Sequence, residues 1–401
     1  MHNATKPWKI VVVGGGYAGI ACAARLARTA GAAVQVTLVN ASEHFVERIR
    51  LHQAVAGQVL PRHALRPLLA RAGVQFIVGH AQGIDLDARA VDVDGTRLPW
   101  DRLVIATGSR AGRPVDAASA AAVHTLDPDG VSAAAKHLQA LDAGSRVLVV
   151  GGGLTGVEAA TEVAESMPHL QVTLASRGPV LAGWSDAARA HVFDVFARLG
   201  IRWREGWGIG ALRPGQAVPT QGEPVPFDLC LWTAGFGWPT LAAGTALAAA
   251  PDGQVRVDSM LRSVSHPAVY AAGDIARLDG ATDEPWPMGC KSALPTGAHV
   301  ADNLVREVAG LEPEPFAYRL PFYCVSLGRR DGVIQWPDAA GGLHGPVRTG
   351  TQAAQLKERV CAGTWQGLVD ESEGRHAIRP PEAVAAMAAQ IAMQKVRMAP
   401  A

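Results

Sequence analysis

Six glycines in two matched triplets are the residues through which this chain could do chemistry. Gly14, Gly16 and Gly19 stand in G-x-G-x-x-G spacing within KIVVVGGGYAG, and Gly151, Gly153 and Gly156 repeat it within RVLVVGGGLTG. The first glycine of such a triplet permits a tight strand-to-helix turn. The second lets a diphosphate approach the backbone, and the third lets helix and strand pack closely. The diphosphate then rests on the free N–H groups of a helix N-terminus. Residues 10–13 form an unbroken apolar run, which reads as a strand buried on both faces, and a helix-prone stretch follows the glycines. Both copies continue into a second strand with nearly the same letters, VTLVN ending at Asn40 and VTLAS ending at Ser176. A whole βαβ unit is repeated, so the chain is expected to hold two dinucleotides and to pass electrons between two cofactors.

The bulk properties set the frame for these units. The chain has 401 residues, room for two or three domains. Its 37 basic and 36 acidic residues balance, which gives no support to nucleic acid as a partner. No apolar run approaches the ~18 residues needed to span a bilayer. The first strand follows the N-terminus almost at once, so no cleaved leader is expected. Cys22, Cys230, Cys290, Cys324 and Cys361 are scattered and odd in number, which fits a reducing, cytoplasmic setting and disfavours a dithiol relay. No metal site is expected.

Between and after the repeats lie elements that could line a cofactor. The 41–57 segment carries Glu47, Arg48, Arg50 and His52 and reads either as a cofactor wall or as an amphipathic helix with a solvated face. A short helix is expected over 61–72, a strand over 74–78, and a hairpin of 83–93 with 96–98 turning at Asp94-Gly95. The run LVIATG ends a strand at Ala106, Thr107 and Gly108, and LWTAG echoes it at Ala234 and Gly235. A third strand end, VYAAGD, brings Gly273 and Asp274; the carboxylate either accepts from a ribitol or ribose hydroxyl or caps the next turn. Helices are expected over 131–141, 184–199 and 351–365, and one from Pro295-Thr296 to Gly310. The N-terminus of that helix would favour negative charge placed against it. Strands are expected in FAYRLPFYCVSL and DGVIQW, followed by an Ala/Met-rich tail at 381–396.

The ordered set GGGYAG, ATG, GGGLTGVE, TAG, AAGD and GCKSALPTGAHVADN resembles the two-dinucleotide-binding-domain flavoproteins of the pyridine nucleotide-disulfide oxidoreductase superfamily. It looks most like the type II NADH dehydrogenases and the apoptosis-inducing-factor-like oxidoreductases. The resemblance implies an α/β fold. Two Rossmann-like domains, the FAD domain interrupted by an NAD(P)H domain, precede an α+β C-terminal domain. The boundaries it implies are 1–117 and 241–310 for the two parts of the FAD domain, 118–240 for the NAD(P)H domain and 311–401 for the last. By the same resemblance Gly14, Gly16 and Gly19 hold the FAD diphosphate, Thr107 and Gly108 lie along FAD, and Gly273 with Asp274 meets its ribityl–phosphate region. Leu294, Pro295 and Thr296 face the isoalloxazine. Gly151, Gly153 and Gly156 hold the NAD(P)H diphosphate, with Glu158 near the nicotinamide. Glu158, Pro295 and Thr296 are the candidate catalytic positions. The candidate cofactor contacts also take in Tyr17, Ala18, Asn40, Arg48, Ala81, Ala106, Thr155, Ser176, Arg177, Ala234 and Gly235.

Three departures from the resemblance shape the functional reading. The acid expected at the end of the second strand is Asn40, which still bonds a ribose hydroxyl. The glutamine-rich quinone motif of the type II dehydrogenases is replaced by LPTG. Their membrane-anchoring helices are not evident; Val384, Met387 and Ile391 make only a modest stripe without basic neighbours. The expected activity is an NAD(P)H:acceptor oxidoreductase with a small-molecule acceptor such as a quinone, at most peripheral membrane contact, and a possible homodimer. The rivals are a ferredoxin-type reductase, a sulfide:quinone enzyme working through cysteines such as Cys290, and a redox-responsive binding protein. NADPH is expected over NADH. Ser176 and Arg177 stand where an acid would select NAD, and no Asp or Glu falls between residues 172 and 180. The alternative is that Arg177 points into solvent.

Overall fold

The computed structural model describes residues 6–112, 120–279, 288–318, 320–339 and 341–375. The first repeat forms β1 (Trp8–Val13), α1 (Tyr17–Ala30) and β2 (Val34–Asn40), extended by β3 (Gln75–Val78) and β4 (Arg102–Ile105). The second unit contains β5 (Val123–Thr125), β6 (Arg146–Val150), α2 (Leu154–Ser166), β7 (Gln171–Ala175), α3 (Asp186–Arg198), β8 (Arg202–Arg204) and β9 (Leu229–Trp232). The chain then returns to the first sheet through β10 (Val269–Ala271).

Both sheets are parallel and share one strand order. The first runs β10-β4-β1-β2-β3 and the second β5-β9-β6-β7-β8. The central strands are buried on both faces: Ile10 and Val12 are fully inaccessible, as are Val149, Leu229 and Leu231. That burial is why these runs lack the alternation of a half-solvated strand. Register brings Val13, Ile105 and Ala271 side by side at the carboxyl end of the first sheet. Val150 pairs there with Ala175 and Trp232 in the second. Each sheet opens a crevice where β1 or β6 sends its connections to opposite sides, the place where such sheets take ligands.

Two late helices close the first unit. α4 (Cys290–Val308) crosses α1 so tightly that a Cβ on Gly297 would lie 2.1 Å from the Ala18 carbonyl oxygen. α5 (Gly350–Glu373) packs behind β11 (Tyr323–Ser326), β12 (Gly332–Gln335) and β13 (Val347–Thr349), an antiparallel sheet. The Arg25 guanidinium on α1 is buried between them, 2.8 Å from Asp302 of α4 and 3.4 Å from Glu371 of α5. Among the described residues no helix is long and apolar enough to cross a membrane.

Several elements differ from the sequence reading. α4 begins at Cys290 rather than at Pro295, which lies inside it. Its start is set by Gly289 at φ 119°, whose amide donates to the Asp274 carboxylate at 2.9 Å. The 41–57 segment is not one amphipathic helix. It divides into a short strand His44–Phe45, a 3-10 turn Arg48–Arg50 and a helix Leu51–Val55. Arg50 is drawn inward to Glu47 at 2.8 Å and Glu358 at 2.6 Å, so the face that the amphipathic-helix alternative puts in solvent is partly buried. The hairpin does turn at Asp94-Gly95, but 83–93 is two strands, Ala81–Asp85 and Ala90–Val93, broken where Arg89 adopts φ 48°. The helix expected over 61–72 starts at Leu65, and α5 continues past Trp365 to Glu373. No regular element forms in 311–318 or 320–322, where the first C-terminal strand was expected to begin. The chain crossing near residue 118 and the tail at 381–396 lie outside the described residues.

Candidate functional site

In both crevices the glycines divide into those the protein needs and one that it does not. A Cβ on Gly14, at φ 113°, would meet the Ala106 oxygen at 2.3 Å, and one on Gly19 would meet the Gly14 oxygen at 1.8 Å. The second copy matches: a Cβ on Gly151 would meet Thr233 Oγ1 at 2.5 Å, and one on Gly156 the Gly151 oxygen at 1.8 Å. Gly16 and Gly153 are different. Each has ordinary extended backbone, and a Cβ on either would touch nothing within 4 Å. Each is also the N-cap of its helix with no side chain capping the free amides. Uncapped amides over open space are what a bound diphosphate satisfies. The middle glycines show the same symmetry. A Cβ on Gly15 would lie 2.7 Å from the Asn40 side chain, and one on Gly152 would lie 2.1 Å from Ser176 Oγ.

The first cradle is framed by the strand ends that follow β4 and β10. Asn40 Oδ1 accepts from the Gly15 amide at 2.8 Å and its Nδ2 donates to the Ser42 carbonyl at 2.8 Å, so it orients the glycine loop itself. Asp274 accepts from Ser109 Oγ at 2.9 Å as well as from Gly289. It therefore ties β4, β10 and the start of α4 together. Arg48 donates to the Ser109 carbonyl at 2.5 Å and fixes the same loop. Thr107 Oγ1 is buried with no hydrogen-bond partner among the described residues, an unfilled polar position beside the cradle. Thr296 Oγ1 accepts from the Gly273 amide at 3.0 Å and donates to the Ser292 carbonyl at 2.8 Å. Its hydroxyl is thus committed to the β10–α4 junction. Leu294 and Pro295 lie in the early turns of α4, Leu294 partly buried against the core of the first unit. Tyr17 and Ala18 are buried in the first turns of α1, and Ala106 at the end of β4. Ala81 opens the three-stranded antiparallel sheet, paired with Val93. The residues present fit an FAD: an open cradle, uncapped amides and an orphaned hydroxyl.

The second cradle presents Thr155 and Arg177 to solvent, with Ser176 buried at the end of β7. Arg177 makes no hydrogen bond or ion pair among the described residues. Ala234 accepts from Trp232 Nε1 at 2.9 Å, and Gly235 turns at φ 73°. Glu158 points from α2 toward the C-terminal sheet. Its carboxylate takes Lys357 Nζ at 2.9 Å, the Ser326 amide and hydroxyl at 3.1 Å each, and His52 Nδ1 at 3.6 Å. Burial works to raise its pKa, but Lys357 and His52 outweigh it and hold the group at about 2. Burial pushes His52 down to about 4, against the pull of Glu158. Beside them Arg329 pairs with the buried Glu162 at 2.8 Å. A polar cavity of about 680 Å³ opens onto this cluster, lined among others by Arg50, Gln53, Ser326, Arg329, Lys357 and Arg359.

Lys357, Ser326 and Arg329 went unread in the sequence. Lys357 and Glu158 are far apart in the chain and share no motif, so no local signal could have paired them. Cys22, Cys230 and Cys361 are buried, and burial raises Cys230 and Cys361 to about 12 and Cys290 to about 11. Thiols held protonated are poor nucleophiles, in keeping with Cys290 as a packing residue.

The family model "Pyridine nucleotide-disulphide oxidoreductase" matches residues 8–300. An "NADH dehydrogenase-like protein" of Mycobacterium tuberculosis is 29% identical over 377 residues, covering 87% of this chain and 93% of that one. A "Type II NADH:quinone oxidoreductase" of Staphylococcus epidermidis is 27% identical over 386 residues, covering 88% and 94%. The crystal structure of the sulfide:quinone oxidoreductase from Aquifex aeolicus superposes with a TM-score of 0.80 at 21% identity, covering 91% and 92%, a likeness of fold.

Proposed function

The chain belongs to the pyridine nucleotide-disulphide oxidoreductase family, and from that premise we propose that it is an FAD-dependent NAD(P)H:quinone oxidoreductase. The observation that carries the reading is the pair of cradles at Gly16 and Gly153, each an uncapped helix N-terminus over space that the protein leaves open. FAD, when bound, supplies a two-electron relay between a nicotinamide and a second substrate. The protein's own residues hold and orient. Gly14 to Gly19 seat one diphosphate and Gly151 to Gly156 the other. Asp274, Ser109 and Thr296 lock the strand ends beside the first of these cradles. Glu158 and Lys357 place a fixed ion pair at the contact of α2 with α5.

A quinone is favoured as acceptor because proteins so named align with this chain along nearly its full length. The raised thiols speak against cysteine-based sulfide chemistry. NADPH is favoured over NADH because Arg177 is exposed beside Ser176, where a 2′-phosphate would lie, with no ion pair among the described residues. Stopped-flow mixing of NADPH-reduced holoenzyme with a panel of acceptors tests the reaction. Fast reoxidation by small quinones is expected; reoxidation by ferredoxin alone, or by oxygen at one slow rate whatever is added, would reject it. Arg177→Ala is expected to raise the Michaelis constant for NADPH about ten-fold and leave NADH unchanged, since one charge-assisted contact contributes ~1.5–3 kcal/mol. Equal losses with both cofactors would show that Arg177 serves the fold.

A further inference from the structure

Lys291 stands at the start of α4 with no acidic partner among the described residues. It is the second residue of the helix, and its Nζ lies 3.8 Å over the ring centroid of Tyr323. Among the described residues it makes no hydrogen bond or ion pair. The first turn of a helix already carries partial positive charge, so lysine has the wrong sign for its place. Burial pulls its pKa down to about 8, with the Cys324 and Cys290 thiols and Glu158 raising it and Lys357 lowering it. None of those neighbours bonds it: Glu158 is held by Lys357 and Ser326, and both thiols are protonated at neutral pH. Pro295, four residues on, also lacks the N–H that would bond the Lys291 carbonyl. Tyr323 and the half-exposed Tyr318, which feels Cys290, add aromatic surface around the same helix start.

We propose that Lys291 is a specificity-determining residue that receives a negatively charged group on the electron acceptor, so that anionic aromatic quinones are preferred to uncharged ones. The proposal rests on the quinone-reductase reading above and narrows its substrate class. The reaction balances as NAD(P)H, one proton and quinone giving NAD(P)⁺ and hydroquinone. The C4–H bond of the nicotinamide breaks, its electron pair ends in the quinone, and the charged substituent is unchanged. An aromatic ring against Tyr323 and an anion against Lys291 use the two features that the fold leaves side by side.

The test compares an anthraquinone sulfonate, permanently charged, with its neutral hydroxymethyl counterpart, using holoenzyme at low ionic strength. Wild type, Lys291→Met and Lys291→Arg are measured at equal flavin content. The kcat/KM ratio of charged to neutral acceptor is expected to be at least about ten-fold lower in Lys291→Met than in wild type, and retained in Lys291→Arg. In wild type the ratio is expected to fall as pH rises from 7 to 9 through the lysine's titration near 8, and to hold in Lys291→Arg. An unchanged ratio in Lys291→Met overturns the proposal. So does an equal change with both acceptors accompanied by a shifted flavin midpoint potential, which would assign the cation to the flavin. Equilibrium dialysis of the sulfonate against oxidised holoenzyme separates the two readings. Binding lost in Lys291→Met while neither quinone is reduced keeps the anion site and rejects the quinone reductase.

Discussion

Replacing Gly16 by valine separates what the fold needs from what the ligand needs. The backbone at Gly16, φ −89° and ψ −168°, is extended and open to any residue, and a Cβ there meets nothing within 4 Å. Valine is a poorer N-cap than glycine, at a cost of about 1 kcal/mol or less. The lost freedom of the unfolded chain returns ~0.4–1 kcal/mol. The two nearly cancel, so the apoprotein is expected to be as stable as wild-type apoprotein within about 1 kcal/mol. Flavin binding is expected to fail. A side chain in the cradle separates the diphosphate from at least two amides, and each charge-assisted bond contributes ~1.5–3 kcal/mol. The sum, about 3–6 kcal/mol, is an affinity loss of roughly 10²- to 10⁴-fold. Flavin absorbance per chain after reconstitution reads the affinity, and thermal unfolding of both apoproteins reads the fold. Gly19→Val is the contrast: its Cβ would lie 1.8 Å from the Gly14 oxygen, so that variant is expected not to fold. Full flavin occupancy in Gly16→Val would falsify the assignment of this cradle. A variant apoprotein far less stable than its parent would show that the glycine serves the chain.

Other consequences can be checked in the same preparations. Gly153→Val is expected to keep FAD and lose reduction by NAD(P)H, measured as flavin bleaching under anaerobic conditions; bleaching at the wild-type rate would contradict the second cradle. Lys357→Met leaves the Glu158 carboxylate buried without its cation and is expected to cost ~3–5 kcal/mol, read by denaturant unfolding. Adding Glu158→Gln should recover much of that loss, and additive losses in the double variant would mean that the two groups are not coupled. Acid stability should fall in two stages. Folded His52 titrates near 4 against 6.5 in the unfolded chain, so its contribution is present above about 6.5 and is lost as pH falls toward 4. Folded Glu158 titrates near 2 against 4.5, so its contribution is present above about 4.5 and is lost below. His52→Gln is expected to flatten the upper stage in urea-unfolding midpoints taken from pH 7 to 4, and an unaltered slope there would reject the assignment.

The two cradles were legible because their requirements are local. A buried strand, a glycine turn and a helix within a dozen residues leave a pattern that no other arrangement explains as well, and the structure repeats it down to the contact of Gly15 with Asn40 and Gly152 with Ser176. The start of α4 was misread because Pro295 is a strong local signal for a first turn, whereas the deciding contact is Gly289 with Asp274, fifteen residues away. The pairings of Arg50 with Glu358, of His52 with Glu158 and of Lys357 with Glu158 were illegible for the same reason on a larger scale. Their partners lie in other elements, and a charged residue in a helical stretch looks solvated until the packing is known. Glu158 was picked out through the resemblance, but its partners on β11 and α5 could not be.

The edge strands of the two sheets arrive from opposite directions along the chain. In the second sheet the strand beside β9 is β5, which precedes the unit's glycine turn; in the first, the strand beside β4 is β10, made after the whole second unit. During vectorial synthesis the inner sheet has all five strands once residue 232 has emerged, while the outer one still lacks an edge. Arg25 waits longer: its partners Asp302 and Glu371 are made only after β10. The inner unit can therefore mature on the ribosome, while the outer one gathers its remaining packing contacts only when α5 is released.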